Sequence, residues 1–418
     1  MGLKNRLILM NFLQFFIWGS WLLTIGAYWF QTKQWSGTEF GAVFSTMGIA
    51  SLFMPAIAGI IADRWVNAEK LYGVFHIIGG IILLIVPMID NPRTLFWVML
   101  LNMMFYMPTI ALAITVAYTS MKGKGLDIIK DYPPVRVWGT IGFIVALWVV
   151  SLSGLETSSF QFYVAAAASF TLGIYAFTLP KCPPLASGHK KSFVEEMGLN
   201  AFKLFKNPKM ALFFIFAMLL GASLQLTNAY GDTFLHDFAN IPAYKDLVAV
   251  KYPAIIMSIS QISETLFILT IPFFLRRFGI KKVMLMSMVA WILRFGLFGY
   301  GNPGAGLWMI VLSCIIYGMA FDFFNISGSL FVETQSSPDI RASAQGLFMM
   351  MTNGFGAFLG SRLSGIIIDR YFVLESGAFD WKGIWMTFAA YSLVVAVLFA
   401  IFFRHKHDPK AVEAEGVL

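Results

Sequence analysis

Residues 180–209 read PKCPPLASGHKKSFVEEMGLNAFKLFKNPK, and this basic stretch decides the fold because it divides an otherwise apolar chain into two halves. It carries six lysines, whereas hydrophobic residues make up 58% and charged residues only 12% of the 418 positions. A soluble domain carries about 25% charged residues. The sequence therefore predicts an all-α membrane protein whose two halves are joined by a basic linker.

Each half contains six apolar stretches of the roughly 20 residues that cross a hydrocarbon core. We expect an N-terminal six-helix half over 1–180, a cytoplasmic linker over 181–209, a C-terminal six-helix half over 210–403 and a cytoplasmic tail over 404–418. The twelve predicted transmembrane helices cover 7–31, 37–62, 71–89, 94–120, 135–153, 159–179, 210–231, 250–275, 283–301, 304–331, 341–368 and 383–403.

The basic residues predict the orientation. Of the 30 lysines and arginines, 21 fall on the linker side of the predicted membrane, 6 on the opposite side and 3 within helices. Cytoplasmic loops of membrane proteins carry the excess of Lys and Arg. We therefore expect both termini and Cys182 to be cytoplasmic, and the net charge of +8 to reflect topology rather than nucleic-acid binding.

Motifs of catalysis and metal binding are missing from the sequence. There is no GxSxG, HExxH or P-loop pattern, and neither the five histidines nor the two cysteines have the spacing of a metal site. We expect no catalytic residue, no metal and no cofactor.

Polar residues inside the predicted helices are the candidate functional residues, because such groups are costly in a bilayer and usually face a cavity or a partner. Gln225 and Asn228 lie three apart, as do Gln261 and Glu264. Residues three or four apart share one face of a helix. Five more positions belong to such pairs or adjoin one: Arg136 and Thr140 are four apart, as are Tyr317 and Phe321, which Asp322 follows.

Four longer strings resemble the bacterial nucleoside permeases and xanthosine permease, in the nucleoside:proton symporter family of the major facilitator superfamily. They are FFIWGSW at 15–21, YPPVRVWGTIGF at 132–143, SISQISETLFILTIPFF at 258–274 and FDFFNISGS at 321–329. The resemblance implies two six-helix halves that rock about a midplane site, and import of nucleosides with protons across the bacterial inner membrane by alternating access. It also implies a substrate site formed by Arg136, Thr140, Phe143, Gln225, Asn228, Gln261, Glu264, Tyr317 and Phe321.

These residue types suit a nucleoside. Carboxamides pair with the edge of a base, an aromatic ring stacks on it, and carboxylate or guanidinium groups contact a ribose diol in a bidentate manner. We expect Asp322 to carry the coupling proton and Glu264 to contact the ribose, although Glu264 is also a candidate for the proton. The expected partners are a nucleoside, protons and the lipid bilayer, with no nucleic acid and a monomeric state.

Less specific interpretations remain open. The amides could simply bond between helices, and Asp322 could be a structural partner of Arg136. Arg294 and Arg362 are expected to snorkel from outer helix ends, and GxxxG at 356–360 to allow close helix packing. The alternative functions are a proton-coupled sugar transporter on the same scaffold, or a membrane sensor or channel without a transport cycle.

Overall fold

The computed structural model describes residues 2–184, 197–337 and 340–405, and these are almost entirely helical. Residues 185–196 of the predicted linker and 406–418 of the predicted tail lie outside the described residues. The chain forms two compact units, Met1–Met197 and Gly198–Leu418. The boundaries predicted for the linker and the tail stay a prediction.

The N-terminal unit has six main helices. After the first main helix come a short turn, a one-turn helix at Ile25–Ala27 and a π-helix at Tyr28–Lys33. A 3₁₀ turn at Val86–Met88 extends the third main helix. The main helices are α1 (Leu3–Gly19), α2 (Gly37–Arg64), α3 (Ala68–Ile85), α4 (Pro92–Lys122), α5 (Ile128–Leu152) and α6 (Phe160–Ala176).

The C-terminal unit has eight main helices because two of its predicted spans are interrupted. Short elements stand at Leu199–Lys206, Phe238–Asn240 and Val248–Lys251, and a π-helix at Met350–Gly356. The main helices are α7 (Pro208–Asp237), α8 (Pro253–Ile268), α9 (Ile271–Phe278), α10 (Ile280–Tyr300), α11 (Leu307–Gln335), α12 (Arg341–Met349), α13 (Ala357–Tyr371) and α14 (Trp381–Phe402).

Every predicted span contains helix, but not every helix is long and apolar enough alone to cross a membrane. Among the described residues, 8 helices are long and apolar enough to cross a membrane, or up to 9 if the bent pair α8 and α9 counts as one span. These two meet at an angle of 56°, beside Pro272 in the first turn of α9, because proline has no N–H to bond the carbonyl of Ile268 four residues earlier. The chain is a multi-pass helical membrane protein, and the count of twelve stays a prediction.

Close helix packing follows the same pattern in both units. In the N-terminal unit an ideal Cβ on Gly19 would lie 2.5 Å from the Phe143 carbonyl oxygen, so α1 and α5 touch through backbone. In the C-terminal unit a Cβ on Gly356 would lie 2.5 Å from the Met218 carbonyl oxygen, and one on Gly360 2.6 Å from the Ala222 Cα. The packing expected of the 356–360 motif is confirmed.

The predicted start of the fifth span is wrong. Helix α5 begins at Ile128 rather than at 135, because Pro133 and Pro134 lie inside its second turn instead of ending it. Arg136 therefore lies about two turns into the helix at 3.6 residues per turn. The predicted bounds had placed Arg136 at the start of the helix instead.

Candidate functional site

Two glutamines in the C-terminal unit are buried with acceptor atoms that lack partners. Gln225 on α7 is 5% exposed and Gln261 on α8 is 9% exposed. Within the described part of the chain, the Oε1 atom of each has no hydrogen-bond partner. Most buried side-chain polar atoms have one. Asn228, one turn beyond Gln225, is half-buried, so the three amides could meet the donors of a bound molecule.

The two candidate carboxyl groups lie near each other. Asp322 on α11 is 4% exposed, and its Oδ2 is another buried atom without a partner among the described residues. Glu264 on α8 is half-buried. Glu264 and Asp322 lie within electrostatic range of each other, and both lie within that range of Tyr317. The structure thus brings the candidate carboxyl groups of two helices together beside one aromatic ring.

Tyr317 and Phe321 form a stacked pair along α11. Their ring centres are 5.8 Å apart and their planes differ by 2°. Tyr317 is buried, whereas Phe321 is half-buried. The two rings are parallel, and the half-buried ring of Phe321 is the more accessible of the two.

The same face of α11 continues into a cavity that sequence analysis missed. Asn325, Ser329 and Glu333 follow Phe321 at successive intervals of four, a spacing that could have revealed them. The cavity has a volume of about 540 Å³, within the range of about 300–1,000 Å³ usual for small-molecule sites. It is lined by Asn325, Ile326, Ser329, Leu330, Glu333, Gln345, Phe348 and Met349.

The N-terminal unit presents Arg136, Thr140 and Phe143 on one face of α5. The Arg136 guanidinium lies 4.1 Å from the centre of the Phe15 ring. Arg136 and Thr140 are half-buried and Phe143 is 8% exposed. The ring of Trp18 meets Phe143 edge-on at 6.5 Å. This face combines a cation, a hydroxyl and aromatic rings.

The snorkelling predicted for Arg294 is wrong. This residue is 1% exposed and is enclosed by its own helix bundle, so its head does not reach an interface. Its proximity in sequence to the end of α10 misled the prediction, because hydropathy does not indicate which face of a helix is packed. Arg362 is exposed, and snorkelling there stays a prediction.

Sequence analysis also missed a buried polar cluster in the N-terminal unit. Gln14 Oε1 accepts from the Tyr72 hydroxyl at 2.7 Å and lies 2.9 Å from His76 Nε2, while Gln14 Nε2 donates to Thr109 Oγ1 at 2.9 Å. Since an amide oxygen only accepts, His76 Nε2 carries the hydrogen. Tyr72 and His76 are four apart on α3, which is the signal that could have found them.

Cys182 packs against the N-terminal unit where the linker begins. Its backbone N–H donates to Glu69 Oε2 at 2.8 Å, and its carbonyl oxygen accepts from Ala68 N–H at 3.0 Å. The thiol lies 3.8 Å from Ser120 Oγ. Burial raises the pKa of the Cys182 thiol to about 11. Cys182 is therefore a poor target for thiol reagents from either side.

A model of the family described as "Nucleoside H+ symporter" matches residues 1–408. The chain belongs to this family. It is 53% identical over 418 residues to the xanthosine permease of Escherichia coli (strain K12), covering 100% of both chains. It is also 53% identical over 408 residues to nucleoside permease NupG of the same organism, covering 97% of each.

A solved structure agrees with the fold. The chain is similar to a crystal structure of nucleoside transporter NupG in a mutant form, with a TM-score of 0.94 and 52% sequence identity. The match covers 96% of this chain and 100% of that one. The major facilitator fold predicted from the resemblance is confirmed, and the family is one of transporters.

Proposed function

We propose that the protein imports nucleosides together with protons across a bacterial inner membrane, by alternating access, as a monomer with both termini cytoplasmic. The family match over residues 1–408 and the 53% identity to a nucleoside permease support nucleosides and protons as the transported species. The excess of basic residues on the linker side supports the orientation.

One observation carries the choice of substrate class. The buried acceptors Gln225 Oε1 and Gln261 Oε1 lack partners within the described residues, in the unit that also holds the stacked rings of Tyr317 and Phe321. In our proposal base N–H groups or ribose hydroxyls satisfy these acceptors while the base stacks on the half-buried ring of Phe321. Asn228 completes the proposed site in this unit, and Arg136, Thr140 and Phe143 are the proposed substrate residues of the N-terminal unit.

The proton is assigned to the carboxyl pair. In the proposal Asp322 takes up a proton from outside and releases it inside, whereas Glu264 accepts hydrogen bonds from the ribose diol. The burial of Asp322 and its partnerless Oδ2 support this division, because a protonated carboxyl is cheaper to bury than a carboxylate. The shared helix face of Gln261 and Glu264 supports a substrate role for Glu264.

A sugar transporter remains the second candidate on this scaffold, since Arg, Glu and aromatic residues also suit a pyranose. The relatives named above favour nucleosides. A sensor or channel would not accumulate solute against its gradient.

The test uses purified protein in vesicles with an imposed proton gradient, acid outside. Labelled uridine and adenosine should accumulate above equilibrium, and a protonophore should collapse the accumulation. Unlabelled nucleosides should compete, whereas free uracil, ribose and lactose should not. Accumulation of labelled lactose but not of labelled uridine would make the sugar transporter the better account, and uptake that only equilibrates would favour a channel.

A further inference from the structure

Arg294 on α10 is a buried guanidinium held by neutral groups. Its Nη1 donates to the Ser313 carbonyl oxygen at 2.7 Å and its Nη2 to Ser260 Oγ at 3.4 Å. The guanidinium carbon lies 4.6 Å from the centre of the Tyr317 ring and 5.2 Å from that of Phe298. Among the described residues no carboxylate forms an ion pair with Arg294.

Such an arrangement costs free energy, because hydrogen bonds and ring faces only partly offset the desolvation of a buried charge that has no counter-charge. An apolar side chain would hold α10 against its neighbours at less cost. The planar guanidinium does something that an apolar group does not, since it donates in fixed directions while lying against aromatic rings.

The contacts of Arg294 lead to both helices that carry the candidate C-terminal site. Ser260 precedes Gln261 on α8 and lies four residues before Glu264, on the same face. Ser313 and Tyr317 are likewise four apart on α11. One side chain therefore connects α8 to α11.

Close backbone contact at the next turn makes this connection sensitive to small shifts. An ideal Cβ on Gly318 would lie 2.7 Å from the Ser263 carbonyl oxygen, so α8 and α11 touch there without intervening side chains. Tyr317 has a third neighbour in Trp291, whose ring meets it edge-on at 6.0 Å. The orientation of Tyr317 is thus set by α10, and Tyr317 in turn lies parallel to Phe321.

We propose that Arg294 is a positioning residue for base recognition, which fixes the plane of the Tyr317–Phe321 pair and its register against Gln261 on α8. This inference rests on the proposed nucleoside function. It predicts that loss of Arg294 weakens the stacking of the base, and that it does so more for a purine, which offers the larger face, than for a pyrimidine.

The test compares Arg294→Gln and Arg294→Lys with Arg370→Gln in purified protein. Arg370 is the matched control, because its guanidinium also lies near a ring, 5.6 Å from Tyr371, but at the outer end of α13. The measurements are the Kd and the number of binding sites for adenosine and for uridine, together with Tm. Arg294→Lys keeps the charge and so protects the fold, but it lacks the planar fork.

For Arg294→Gln we expect the adenosine Kd to rise about tenfold, the usual scale of an aromatic contact, and the uridine Kd to rise less, with an unchanged number of sites. Arg294→Lys should raise the ratio of the adenosine Kd to the uridine Kd as well, whereas Arg370→Gln should leave this ratio unchanged. Fewer sites with unchanged Kd values and an unchanged ratio would show that Arg294 only holds helices together, which overturns the proposal.

Binding measurements on the wild type and on Tyr317→Leu distinguish a wrong positioning role of Arg294 from a wrong proposed function. If the wild type binds neither nucleoside, the proposed function fails. If the wild type binds both and Tyr317→Leu changes the ratio while neither Arg294 variant does, the positioning role alone is wrong.

Discussion

Each half of the molecule contains a buried polar cluster, and the two clusters differ in how their hydrogen bonds are satisfied. In the N-terminal half, Gln14 uses both ends of its amide, with Tyr72 and His76 at the oxygen and Thr109 at the nitrogen. The backbone carbonyl of Gln14 also accepts from the Tyr106 hydroxyl at 2.8 Å. Both side-chain amide atoms of Gln14 therefore have partners within the N-terminal half.

The C-terminal cluster is incomplete. Gln225, Gln261 and Asp322 each have a buried oxygen without a partner within the described residues, and Arg294 Nε is likewise without one. Leaving a buried polar atom unpaired costs about 1–3 kcal/mol.

The difference indicates separate roles. A satisfied network stabilises and specifies the packing of its helices, whereas unsatisfied buried atoms can be satisfied by a substrate or a proton. Residue type alone does not distinguish the two, because both clusters are built from amides, hydroxyls and aromatic rings. Three experiments test the distinction, and a fourth tests the predicted orientation in the membrane.

The largest effect is expected at Asp322. Asp322→Asn should abolish accumulation of nucleoside driven by a proton gradient, because the amide cannot take up and release the proton. Counterflow exchange of labelled for unlabelled nucleoside should remain measurable in vesicles. Asp246→Asn, at an exposed carboxylate that pairs with Lys251 at 3.1 Å, is the control and should accumulate normally. If Asp322→Asn still carries protons inward with nucleoside and Glu264→Gln does not, the two roles are exchanged.

A smaller loss is expected at the amides. Gln225→Ala, Asn228→Ala and Gln261→Ala each remove a directional contact with the substrate, which should cost about 1–3 kcal/mol of binding free energy, or about 5- to 150-fold in Kd. Titration calorimetry on purified variants measures this. Gln335→Ala, at an exposed glutamine at the end of α11, should bind as the wild type does. Unchanged affinity in all three amide variants would mean that these residues only join helices.

The smallest effect is expected from thiol labelling, which tests the orientation. Native Cys182 should react slowly with a membrane-impermeant maleimide even in inverted vesicles, since its thiol is buried and its pKa is raised to about 11, and the thiolate is the reactive form. An exposed cysteine is needed instead. Lys203→Cys should label only in inverted vesicles, and Lys245→Cys, on the predicted outer side, only in intact cells. The reverse pattern would overturn the predicted topology.

Sequence patterns predicted the helical class and most helix positions, because apolar length and basic-residue asymmetry are properties of the chain itself. They placed the start of α5 too late, since Pro133 and Pro134 are tolerated in the second turn of that helix. They could not distinguish buried Arg294 from exposed Arg362, because both lie toward helix ends and only packing separates them. The Gln14 cluster was missed because its members come from three helices far apart in sequence.

The candidate site was predicted in a similar way. The pairs Gln225 with Asn228, Gln261 with Glu264 and Tyr317 with Phe321 follow from helical spacing. Helical spacing does not show which of their atoms lack hydrogen-bond partners, because that depends on the neighbouring helices. Intervals of four residues also connect Phe321 to Asn325, Ser329 and Glu333, so helical spacing could have revealed these three residues too.

The most direct test of the difference between the clusters is a paired measurement on Gln14→Ala and Gln261→Ala. Both remove one buried amide, and both variants are assayed for Tm and for the Kd of uridine. Gln14→Ala should lower Tm, because Tyr72, His76 and Thr109 lose their partner, while the Kd stays near that of the wild type. Gln261→Ala should keep a Tm near that of the wild type and raise the Kd by about tenfold or more. If Gln14→Ala instead weakens uridine binding and Gln261→Ala lowers only Tm, the assignment of the substrate to the incomplete cluster is contradicted.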